Sequence, residues 1–101
     1  MRNILYIDDI RTPEFWIGKD CIVTIARTYD EAIDLLDIEQ YDAIDFDNDL
    51  GTEKEGYDIA KYILEKQIEV PEIYIHTMNP VAKQNISQLL GHNTKAQIFF
   101  Y

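Results

Sequence analysis

The sequence predicts a small doubly wound α/β domain, in which a parallel sheet carries packed helices. Two observations support that class. Five short apolar runs alternate along the chain with three segments whose apolar residues recur at helical spacing. The runs are near-continuous and rich in Ile, Val, Tyr and Phe, the pattern of strands covered on both faces. A length of 101 residues limits the chain to one domain, residues 1–101.

The first strand is placed at residues 4–7 and runs straight into Asp8 and Asp9. Residues 21–26 form the second, with Cys21 read as a buried strand thiol. Only residues 10–20 separate these strands, and Pro13 and Gly18 interrupt them, so a full crossover helix hardly fits. One short helical turn near residues 14–17 is expected instead. Thr28 and Glu31 have capping-box spacing and open a helix over residues 29–38, with Ala32, Ile33, Leu35 and Leu36 inward. The third strand covers residues 43–46. A second helix covers 56–66, with Ile59, Ala60, Ile63 and Leu64 inward. The fourth strand is residues 73–75. Asn79 followed by Pro80 reads as a cap and first helical residue. Ala82, Ile86, Leu89 and Leu90 form that helix's stripe, and Gly91 is its expected stop. Residues 98–101 are the fifth strand. Right-handed crossovers then give a five-stranded sheet of order 2-1-3-4-5 in a three-layer sandwich.

Nine Lys and Arg against nineteen Asp and Glu give a net charge of −10. This excludes a general nucleic-acid surface and binding to an anionic membrane. A single cysteine excludes an internal disulfide and a zinc ribbon. No apolar run approaches the ~20 residues of a membrane span, and no signal peptide is legible, so a cytoplasmic protein is expected.

In an open parallel sheet the ligand crevice lies beyond the carboxyl ends of the strands, where strand order reverses. Here that is between strands one and three. Asp8 and Asp9 end the first, Asp45, Asp47 and Asp49 stand at the end of the third, and His76 and Thr77 end the fourth. Carboxylates so crowded repel one another, and a divalent hard cation relieves the conflict. The cluster therefore reads as a Mg2+ or Mn2+ site, with Asp8, Asp9 and Asp47 as ligands.

Other residues keep two readings. Asp49 assists the site or starts the Asp49-Leu50-Gly51 turn. Arg11 clamps a phosphate or neutralises the acidic rim. Asn79 caps a helix or orients a ligand. His76 is hydrogen-bonded structure or a general acid or base, its ordinary pKa of about 6.5 suiting that work. Asp45 supports the site from behind, or meets His76 or a tyrosine hydroxyl. Phe15, Trp16 and Ile17 cover the core or stack on a nucleobase. His92 reads as a surface loop residue.

Ile7-Asp8-Asp9, Asp47, Gly56 and Thr77 resemble the receiver domain of two-component response regulators. That resemblance implies a flavodoxin-like fold, magnesium on the acids, Asp47 as phosphoacceptor and Thr77 as the hydroxyl beside it. The lysine that receivers carry after strand five is missing, since Lys95 begins that strand. Three segments are closer to receiver-like domains of the cyclic-phosphate processing family: Asp8-Asp9-Ile10-Arg11-Thr12-Pro13, Asp47-Asn48-Asp49-Leu50-Gly51 and His76-Thr77-Met78-Asn79-Pro80. Asn48 stands where that family has histidine.

The resemblance implies a metal-dependent phosphoesterase for a small cyclic or terminal phosphate, on a nucleotide or an RNA end. Its catalytic residues would be His76, Asp47 and Asp49, with Arg11, Asn48, Thr77 and Asn79 binding the phosphate. A degenerate signalling receiver is one alternative. A non-catalytic nucleotide-binding or inhibitor protein of a phage or defence system is the other. The aromatic strand-five edge allows a monomer or a weak homodimer.

Overall fold

Side-chain alternation along the strands sorts the apolar residues onto two faces of one sheet. The computed structural model describes residues 1–101, with strands β1 (Arg2–Ile7), β2 (Cys21–Ala26), β3 (Ala43–Phe46), β4 (Glu72–Ile75) and β5 (Gln97–Phe100). All neighbours are parallel and the order is β2-β1-β3-β4-β5, as expected. Between them lie α1 (Tyr29–Ile38), α2 (Gly56–Glu65) and α3 (Pro80–Asn93).

The topology decides which face each connection covers. From β2 through β5 the chain always steps in one direction, so right-handed crossovers place α1, α2 and α3 on the same face. They pack in that sequence, α1 on α2 and α2 on α3. Leu5, Ile7, Ile44, Phe46, Ile73 and Ile75 meet them from the sheet, against Ala32, Leu36, Ile59, Ile63, Ile86 and Leu90. Fully burying each such aliphatic side chain contributes about 1.5–3 kcal/mol.

The step from β1 to β2 runs the other way, so its connection crosses the opposite face. There the third layer is thin: a single 3-10 turn, Glu14–Trp16. Trp16 is 3% exposed and packs with Ile4, Tyr6 and Ala43. Phe15 and Tyr74 support them. Trp16 is therefore core cover, while Ile17 stays exposed. Cys21 is half-buried rather than buried, because β2 is an edge strand under the end of this short layer.

The helix caps follow the sequence in most respects. Thr28 Oγ1 accepts the Glu31 N–H at 3.1 Å, and Glu31 reaches back to the Arg27 N–H at 2.8 Å. Asn79 Oδ1 accepts the N–H groups of Val81 and Ala82. Gly91 does not stop α3. The helix passes through it and ends at Thr94, which sends both its N–H and its hydroxyl to the Leu90 carbonyl. His92 accordingly sits exposed on the last turn of α3 rather than in a loop.

Candidate metal centre

The site is built where β1, β3 and β4 end. Asp8 follows β1 and is fully buried. Its Oδ1 accepts the backbone N–H groups of Ile10 at 3.0 Å and Arg11 at 2.9 Å. This turns the chain off the sheet into the short crossover. Its Oδ2 faces His76 Nε2 at 2.9 Å.

His76, 4% exposed, sits one residue beyond β4 on the thinly covered face. Its ring lies between two tyrosines, parallel to Tyr6 within 3° at 4.9 Å and stacked on Tyr101 at 5.5 Å. Its Nδ1 meets Asp45 Oδ1 at 2.5 Å. Asp45 is fully buried in the central strand, where an unpaired carboxylate would cost several kcal/mol. It is not unpaired. Besides His76, Trp16 Nε1 donates to its Oδ2 at 2.7 Å, and the Tyr101 hydroxyl donates to the same oxygen. Both ring nitrogens of His76 are thus engaged by carboxylates. The expected meeting of Asp45 with His76 and with a tyrosine hydroxyl occurs in both forms.

Asp47, 7% exposed, is the first residue past β3. Gly56 packs against its backbone, since a Cβ there would lie 2.5 Å from the Asp47 carbonyl oxygen. The Asp47 carboxylate shares one space with Asp8 and His76, and the ligand atoms of the three lie within 4.8 Å of one another. The Thr77 hydroxyl and the Asp49 amide beside it favour its charged form.

The electrostatics follow from this crowding. Burial and the Asp8 charge hold the Asp47 carboxyl above the usual range. Burial also acts to raise Asp8, but the Arg11 and Ile10 amides and His76 outweigh it, so Asp8 lies below the usual range. Burial acts to lower His76, yet its bonds to Asp45 and Asp8 outweigh it and favour the imidazolium. The Tyr101 hydroxyl, buried against Asp45, stays protonated.

The other expected site residues spread around this centre. Asp9 stands outside the group of three and turns toward the Asp49-to-Gly51 loop, where its Oδ2 would lie 3.4 Å from a Cβ at position 51. Gly51 has φ +69°, which favours glycine at that turn. Asp49 is exposed and accepts from Asn48 Nδ2 at 3.2 Å. Asn48 spends its Oδ1 on the Tyr57 N–H at 2.9 Å, tying the loop to α2. Thr77 is buried, and its Oγ1 accepts the Asn79 N–H. Asn79 acts as the α3 cap, its Oδ1 taken by the Val81 and Ala82 amides. Arg11 is half-exposed with Nε 4.0 Å from Asp8 Oδ2, close enough to offset the acid and still open to a ligand.

Two contributors escaped the sequence reading. Arg27, at the end of β2, donates from Nη1 to the carbonyls of Asp8 at 3.2 Å and Arg11 at 2.6 Å, and so pins the turn that presents Arg11. Tyr101 was legible only as an edge aromatic. Its alternation with Phe99 places it on the thin face, which is the one local signal that it could reach Asp45.

A family model described as the cyclic-phosphate processing receiver domain matches residues 3–92. No curated protein matches the chain significantly. Among solved structures, the response regulator TrrA of Thermotoga maritima in complex with Mg2+ and BeF is similar. It aligns over 99% of this chain and 85% of its own, with TM-score 0.75 and 20% identity. The receiver domain of the Francisella response regulator 1452 aligns over 99% of this chain and 84% of its own, with TM-score 0.72 and 16% identity. A Burkholderia pseudomallei response regulator with a phosphorylated aspartic acid, calcium ion and citrate gives TM-score 0.70 and 21% identity, over 99% of this chain and 59% of its own. At these identities the likeness is one of fold.

Proposed function

The chain belongs to the cyclic-phosphate processing receiver family, and on that premise we propose that it is a metal-dependent phosphoesterase acting on a small cyclic or terminal phosphate. The observation that supports this is the convergence of Asp8, Asp47 and His76 in one space. Two of these groups are carboxylates that burial and mutual repulsion leave in conflict, and a divalent cation suits such a set.

Asp8 and Asp47 would hold Mg2+ or Mn2+. A bound ion of this kind supplies Lewis acidity to a phosphoryl oxygen and activates water. Arg11, half-exposed at the rim, clamps a phosphate oxygen. The Asn79 NH2 group and Thr77 orient the ester from the start of α3. Asp49, exposed on the same rim, exchanges a proton with water or the departing oxygen. That role falls to Asp49 because His76 has both nitrogens engaged.

The test is turnover of a panel of cyclic nucleotides, and of RNA fragments ending in a cyclic phosphate, with Mg2+ or Mn2+. Hydrolysis that Asp47→Ala abolishes is expected. No turnover together with no metal binding sinks the proposal, and ligand bound but returned unchanged favours a nucleotide-binding protein instead.

A second reading is a receiver with Asp47 as phosphoacceptor. What favours it is a carboxylate at the end of β3 with the Thr77 hydroxyl beside it. What counts against it is Lys95, which precedes β5 and so lies at the far end of that strand from the site. A phosphoryl adduct on Asp47 after treatment with acetyl phosphate and Mg2+ separates the two readings.

A further inference from the structure

We infer that His76 is itself a metal ligand through Nε2, held for that task by Asp45, so that the centre takes Mn2+ or a related transition ion in preference to Mg2+. The inference deepens the metal part of the proposed function and is independent of turnover. Three observations support it.

First, the group that converges is not the all-oxygen set of Asp8, Asp9 and Asp47. Asp9 points toward the Gly51 loop, and the third ligand atom beside Asp8 and Asp47 belongs to His76. The ligand atoms of the three all lie within 4.8 Å of one another, so a single ion could draw all of them into its coordination shell. Second, the far nitrogen of His76 bonds a buried carboxylate, Asp45, at 2.5 Å. Metal-bound histidines regularly have such a partner, because it fixes the ring and keeps the proton on the nitrogen away from the ion. Asp45 is in turn held by Trp16 and Tyr101, and Tyr6 and Tyr101 lie against the two faces of the imidazole. The ring is thus fixed in tilt and rotation with Nε2 toward the shared space. Third, the Asp47 carboxylate is over nine-tenths buried and opens on that space, with the Thr77 hydroxyl and the Asp49 amide on its other side favouring the charged form a cation needs.

Binding replaces the Nε2 proton, which leaves to solvent as the ion arrives. An imidazole among the donors shifts the preference from Mg2+ toward Mn2+ and its neighbours.

The probe is Mn2+ added to the full chain, followed by electron spin echo modulation from ligand nitrogen. Directly coordinated 14N is expected in the wild-type protein and in His92→Gln, which removes the other histidine. Loss of that coupling is expected in His76→Gln. Asp45→Asn should keep the fold's far-UV spectrum and lower Mn2+ affinity about 10–100-fold. Mn2+ bound with no nitrogen coupling in the wild type overturns the inference and leaves a metal-dependent phosphoesterase standing. Mg2+ displacing Mn2+ at equal concentration also overturns it. Absence of any Mn2+ binding removes both the inference and the metal chemistry proposed above.

Discussion

Replacing Asp45 by asparagine exchanges one oxygen for an NH2 group with almost no change of volume. Asp45 is fully buried, so no water can take over its partners. It accepts from His76 Nδ1, Trp16 Nε1 and the Tyr101 hydroxyl. Asparagine keeps one acceptor oxygen, which serves Trp16 and Tyr101 if it stays where Oδ2 was. The new NH2 group then faces His76 Nδ1, donor against donor. The least loss is one hydrogen bond to a charged group, about 1.5–3 kcal/mol. Asp8 still faces Nε2, so the ~3–5 kcal/mol of a fully broken buried pair is the upper bound. A loss of about 3 kcal/mol is expected, which for a domain of this size lowers Tm by roughly 12–24 °C. Urea unfolding of the metal-free protein at neutral pH, followed by circular dichroism, measures it. Asp30→Asn on the exposed side of α1 is the control and should stay within about 0.5 kcal/mol of wild type. A loss below about 1 kcal/mol in Asp45→Asn, with an unchanged denaturant slope, would refute the network as the reason Asp45 is buried.

Tyr101→Phe keeps the ring stacked on Phe15 and His76 but removes the hydroxyl from Asp45, and should cost about 1.5 kcal/mol in the same assay. Combined with Asp45→Asn the two losses should be non-additive, and simple addition would count against a shared contact. Gly56→Ala forces a Cβ to within 2.5 Å of the Asp47 carbonyl oxygen and 2.8 Å of Asn48 Cα, both backbone atoms. It should cost about 1–3 kcal/mol and weaken Mn2+ binding measured by calorimetry, because the atoms that must move carry Asp47. The pH dependence of metal-free stability has two limbs. Asp8 is held below its ordinary range, so its contribution is present above the unfolded pKa of about 3.9 and lost as pH falls through the folded value. His76 is held above its ordinary range, so its contribution is complete below about 6.5 and lost as pH rises through the folded value. Asp47 is held above its ordinary range, so its contribution is present below about 3.9 and lost as pH rises through the folded value, opposing the Asp8 limb. Urea midpoints should therefore peak at mildly acidic pH, and a midpoint that climbs steadily to pH 8 contradicts this assignment.

Much of this protein was legible along the chain because the signals are local. Strand runs, helix stripes and the Thr28 and Asn79 caps each depend on neighbours within a few residues. Direction of crossover then follows from chirality, and with it the sheet order and the rim on which Asp8, Asp47 and His76 meet. The one cap misread, Gly91, shows the limit of local rules. Glycine favours helix ends, but α3 continues because Leu90 is buried in the core and Thr94 can close the final turn instead.

The partnerships inside the site belong to the tertiary structure. Acids at the ends of adjacent strands could be seen to gather, but not which oxygen would face which nitrogen. Asp9 and Asp8 are neighbours in sequence and part company because Asp8 spends Oδ1 on the turn amides, leaving Oδ2 for His76 and sending Asp9 toward Gly51. His76, Asp45, Trp16 and Tyr101 come from four separate segments and meet on the face that a single short turn covers. Sequence alone determined the sheet and the acidic rim, since alternation and handedness act residue by residue. Only the folded chain decided that a buried carboxylate would fix the histidine, because that depends on side chains far apart in sequence closing over the same sheet face and excluding water together.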